Sequence, residues 1–68
     1  MITEVDVIRR EINWLNEDIV FYTENIKLLD AKLAVETDVL KQGVLDVLIA
    51  SDQRLLTEKQ DRRRELIG

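Results

Sequence analysis

The sequence predicts an all-α protein, a long heptad-patterned helix followed by a shorter second helix. Proline is absent from its 68 residues and glycine occurs twice, at Gly43 and Gly68, too little punctuation for alternating strands and turns. Apolar residues along the first forty positions recur in steps of three and four without a slip, the period of helices that pack on helices. Charged residues make up 35% and apolar residues 46%, a balance suited to long amphipathic helices.

The first helix is expected over about 3–41. Thr3 is a suitable N-cap, with Glu4 and Asp6 in the first turn, where the helix dipole favours acids. Ile2 and Val7 stand at the positions of a hydrophobic staple, and Asp6 with Arg10 makes an i,i+4 pair in the favourable order.

Two apolar rows run along this helix. Val5, Ile8, Ile12, Leu15, Ile19, Tyr22, Ile26, Leu29, Leu33 and Leu40 occupy a and d positions, with Glu36 as the one polar intruder. These residues are the expected self-association seam, since a buried helix of a globular domain would drift with the 3.6-residue period. Val7, Trp14, Phe21, Leu28 and Val35 recur every seven residues at position c. Position c lies roughly 100° from d, beyond the mostly polar g residues Glu4, Glu11, Asp18, Asn25, Lys32 and Val39. A row holding two aromatics needs cover. The expected occupant is the second helix, with a partner protein as the alternative.

Lys41 and Gly43 have the pattern of a helix C-terminus, which puts the break near 43 and a second helix over about 44–66. Val44, Leu45, Leu48, Ile49, Leu55, Leu56, Leu66 and Ile67 form its broad apolar face, and Ser51 with Asp52 could mark a kink. Folding back at Gly43 would set Arg62 to Arg64 beside Asp18 to Glu24, basic against acidic. The two helices would measure about 58 Å and about 34 Å, leaving the N-terminal part of the first bare unless a second chain covers it. One unbroken helix through Gly43, at about 1 kcal/mol for the glycine, is the rival. The expected architecture is therefore one domain over residues 1–68, a helical hairpin assembling into a dimeric antiparallel bundle or coiled coil. Glu36 favours the antiparallel pairing, because a parallel one would bury it against its own copy. Isoleucine at a with leucine at d argues the other way.

Histidine and cysteine are absent, so neither Ser-His-Asp nor Cys-His catalysis can be built, nor any site with imidazole or thiolate ligands. Gly43 is the only internal glycine, which leaves no phosphate-cradling loop. Glu58 and Asp61 form an ExxD step that resembles half of the metal site in nucleotide pyrophosphohydrolases of the MazG type. Those enzymes also use an upstream ExxE, and no Glu here is followed by Glu three residues later. Glu58 and Asp61 are thus expected to be solvated surface, and the chain to be a non-enzyme without cofactor or metal.

Net charge is −4, unevenly placed: residues 1–38 carry nine acids and four bases, residues 39–68 five acids and six bases. Arg54, Lys59, Arg62, Arg63 and Arg64 are the candidate basic patch, which would be a solvated helix end before it is a nucleic-acid site. No apolar run is long enough to cross a bilayer and the opening residues lack a basic n-region, so a soluble cytoplasmic protein is expected.

Three functions fit these surfaces. The first is a homo-oligomeric assembly module acting through the a/d seam. The second is a small regulator or inhibitor, of the kind phages and mobile elements encode, that binds a protein through the c row. The third follows from a resemblance in size, charge sign and architecture to the plasmid copy-number regulator Rop, a helical hairpin that dimerises and binds paired RNA. No residue motif is shared with it, so the resemblance implies an architecture and assigns no site residue.

Overall fold

The computed structural model describes residues 2–68. It is a helical hairpin of two elements, α1 (Glu4–Val35) and α2 (Val39–Ile67). Their 32 and 29 residues make helices of nearly equal length, packed side by side in a rod of 55 × 15 × 15 Å.

The start of α1 is a capping box. The Thr3 hydroxyl accepts from the Asp6 backbone N–H at 3.2 Å, and the Asp6 carboxylate accepts from the Thr3 N–H at 3.2 Å. Two orphan donors of the first turn are satisfied reciprocally, with the acid placed where the dipole favours it.

The turn lies at 36–38 and not at Gly43, and its chemistry explains the difference. Glu36 leaves the helix with φ −79° and ψ 129°, and Asp38 follows at φ −80° and ψ 120°. Neither needs the left-handed region, so no glycine is required there. The Asp38 carboxylate accepts from the N–H groups of Leu40 (2.9 Å) and Lys41 (3.3 Å), capping α2. Glu36 accepts from the Asp38 N–H at 3.1 Å through its side chain, and from the Gln42 side-chain amide at 2.7 Å through its carbonyl. The glutamate that interrupts the heptad is therefore a turn residue, and its bearing on chain orientation falls away. Gly43 sits inside α2 with ordinary backbone geometry and open space where a Cβ would stand.

Moving the turn changes the register. Arg62 meets Glu11 (2.8 Å) and Lys59 meets Asp18 (3.3 Å), so basic does face acidic, about two to three turns from the positions expected of a fold at Gly43. Because the lengths match, the N-terminal part of α1 is covered by α2 of its own chain. Ser51 and Asp52 make no break in α2.

The inner surface is thin. Leu15 and Ile49 are the buried apolar residues, 5% and 8% exposed. Around them the a/d residues of α1 from Ile8 to Leu33 are half-buried against α2. On α2 the inward row is Gln42, Leu45, Ile49, Asp52, Leu56, Lys59, Arg63 and Leu66, all buried or half-buried and again spaced by three and four. This second heptad is half polar, which hides it from a reading based on apolar period.

Candidate interaction face

The a/d row and the c row of α1 have opposite fates. Ile8, Ile12, Leu15, Ile19, Tyr22, Ile26, Leu29 and Leu33 turn toward α2, so the occupant of that seam in the hairpin is the chain's own second helix. Val5 is exposed at the open end of the rod. Leu40 does not belong to this row: it lies on α2 beyond the turn and is 82% exposed.

Val7, Trp14, Phe21, Leu28 and Val35 are all exposed, Trp14 and Phe21 at 63% each. The expectation that α2 covers them is corrected. A row repeating every seven residues offers a neighbour one knob per two turns, whereas a/d spacing offers two. A single partner helix therefore takes the wider stripe. The Phe21 ring stands edge-on to Tyr22, centroids 5.4 Å apart, so an exposed aromatic is braced by one in the seam.

The c row shares its flank of the rod with the g residues, and there α1 is tied to α2. Glu11 takes the Arg62 guanidinium through two contacts, 2.8 and 3.4 Å. Asp18 takes Lys59 at 3.3 Å, and the Asn25 amide donates to the Asp52 carboxylate. Hydrogen bonds from Arg62 to Glu11 and Glu65 hold its guanidinium above the ordinary arginine range, so it stays charged.

Two open clefts mark this flank. Val7, Trp14, Glu11, Asp18, Leu15 and Lys59 line one near the chain ends. Lys32, Val35, Glu36, Lys41, Val44 and Leu45 line the other at the turn, where Val35 of α1 and Val44 of α2 open onto the same space. Val44 continues into a shallow apolar strip with Leu40, Val47 and Leu48. Leu40, Val44 and Val47 are exposed; the expected turn at Gly43 assigns Leu40 to the seam of the first helix and Val44 to the face of the second, and Val47 to neither. The α2 face expected to be continuous divides instead, Leu45, Ile49, Leu56 and Leu66 turning inward while Val44 and Leu48 turn out.

The five cations of the basic patch do not converge. Arg62 and Lys59 are engaged on this flank, Arg63 donates to Asn16 at 2.9 Å, and Arg64 pairs with Asp61 at 3.5 Å. Arg54 stands apart and exposed. Asp61 is thus occupied by an arginine, and among the described residues no group of three or more acidic side chains is placed to hold a metal ion. Among the described residues no helix is long and apolar enough to cross a membrane. Comparison with protein-family models, with curated proteins and with solved structures finds no match to this chain.

Proposed function

We propose that this chain is a non-catalytic helical assembly module that works by associating with further copies of itself through the exposed flank. The observation that carries this reading is the unbroken row Val7, Trp14, Phe21, Leu28 and Val35, left in water beside the apolar strip of α2. A contiguous apolar surface of this kind marks an interaction site.

Area points the same way. A compact monomer of 8.0 kDa is expected to expose about 4,450 Å². The hairpin exposes 5412 Å². The excess, close to ~1,000 Å², is about what one partner contributes to a standard interface. With neither disulfide nor metal ligand of the cysteine or histidine type to reinforce so thin a core, association is the stabilising route open to it.

Sedimentation equilibrium tests the proposal. The wild-type chain should be a dimer or larger at micromolar concentration, and Trp14→Glu should shift it to a folded monomer. A wild type that is a well-folded monomer at every accessible concentration would overturn it.

A second reading is favoured by the two aromatics, since tryptophan and tyrosine-like rings dominate heterologous interfaces as well. In that case Trp14 and Phe21 anchor a different protein, and Trp14 emission stays red until that partner is added. Nucleic-acid binding is the weakest of the three, because Lys59, Arg62, Arg63 and Arg64 each contact a different group of this chain and do not converge on one face.

A further inference from the structure

Resting on the self-association proposed above, the geometry points to a specific arrangement: two hairpins lie face to face with turn beside turn, so that α1 of each copy covers α2 of the other.

The distribution of apolar residues along the rod carries this. Asp18 stands level with Lys59 and Asn25 with Asp52, which fixes the height of every residue of α1 against α2. By the same step Leu28 lies within one residue of the level of Leu48, Phe21 of Leu55, and Trp14 of Arg62. Near the turn both helices offer apolar side chains to the open flank, Leu28 and Val35 from α1, Val44 and Leu48 from α2. Toward the chain ends α1 still offers Trp14, whereas α2 offers Glu58, Arg62 and Glu65, all exposed.

Placing turn beside turn sets apolar against apolar. Leu28 of one copy meets Leu48 of the second copy, Phe21 meets Leu55, and Val35 meets Val44. Trp14 meets the second copy's Arg62, an arrangement in which a guanidinium stacks on an indole. At the Trp14 and Phe21 levels the cations Arg62 and Lys59 arrive already paired with Glu11 and Asp18 of their own chain, which limits the charge left uncompensated there. The opposite arrangement, turn against chain ends, matches the α1 row with itself about Phe21. It also sets Leu48 against the second copy's Arg62 and Val44 against the region of its Glu65, burying apolar surface beside charge. The ~1,000 Å² of excess surface is enough for one such interface and not for two.

The absence of cysteine makes the test clean. Thr37→Cys in the exposed turn of the full chain accepts a nitroxide label, and electron double resonance reads the distance between labels in the oligomer. Turn beside turn predicts a separation of two to three helix spacings, about 20–30 Å. A separation near the 55 Å length of the rod would overturn the arrangement while leaving self-association intact. A monomer without dipolar coupling would overturn self-association itself, and this inference with it. Leu48→Glu is the second arm. It should weaken association at least tenfold, by placing a carboxylate against the second copy's Leu28. Association strengthened by Leu48→Glu would show Arg62 across from it and overturn the proposal.

Discussion

Asn25 on α1 and Asp52 on α2 join side chain to side chain across the middle of the hairpin, the amide donating to the carboxylate. Both are half-buried, and Asp52 stands in the inward row of α2 where an apolar residue would be the default. A polar contact at such a position favours one register over others, since sliding by a heptad toward the N-terminus of α1 would set the Asp52 carboxylate against Asp18. Asn25→Ala should destabilise the chain by about 1–2 kcal/mol, through loss of a hydrogen bond to a charged acceptor. The double variant Asn25→Leu with Asp52→Leu should regain that stability while losing uniqueness, seen as extra amide resonances. Urea unfolding at fixed protein concentration measures the first, and a single clean set of resonances for the double variant would disprove the second.

Asp38 and Gly43 give predictions of opposite sign. Asp38→Ala removes the acceptor for two backbone N–H groups and should cost about 1 kcal/mol. Gly43→Ala, inside a helix with nothing within 4 Å of the new methyl group, should stabilise by about 0.8–1 kcal/mol. Thermal unfolding followed by circular dichroism decides between this turn and one at Gly43, where alanine would destabilise.

Leu15 and Leu40 both fit the sequence heptad, but burial separates them. Leu15→Ala should cost about 2–5 kcal/mol, enough to unfold so slight a protein at room temperature. Leu40→Ala should stay within about 0.5 kcal/mol in the same denaturant titration. Equal losses would mean that Leu40 is packed in the seam after all.

Trp14 reports on the open flank. Its emission should be red and readily quenched at concentrations where the chain is dissociated, and should move to the blue as copies associate. A dilution series with an added quencher follows both, and a blue emission independent of concentration would contradict the exposed position of the ring in the hairpin.

Much of the fold is legible in the residues themselves. Thr3 and Asp6 form the cap their spacing announces, and the a/d row from Ile8 to Leu33 is the packed face of α1. The turn is misread because glycine is the usual residue just past a helix C-terminus, while here two carboxylates perform the same task. Glu36 breaks the heptad and Asp38 caps the next helix, a signal carried by hydrogen bonding and invisible to hydropathy. The inward row of α2 is missed because Gln42, Asp52, Lys59 and Arg63 alternate with its apolar members. Which of two rows a single neighbouring helix would take depends on stripe width, a comparison that the sequence poses and only the packed pair resolves.

The inward row of α2 also makes the rod chemically two-ended. Next to the turn it supplies Leu45 and Ile49 after the uncharged Gln42, and next to the chain ends it supplies the charged Lys59 and Arg63, held by Asp18 and Asn16, before Leu66. Ionic strength acts on the second end, where screening shortens from ~10 Å at 0.1 M salt to ~3 Å at 1 M. Cooling acts on the first, where apolar contact weakens as temperature falls. Brine should therefore fray the hairpin from its tips inward, and cold should loosen it from the bend.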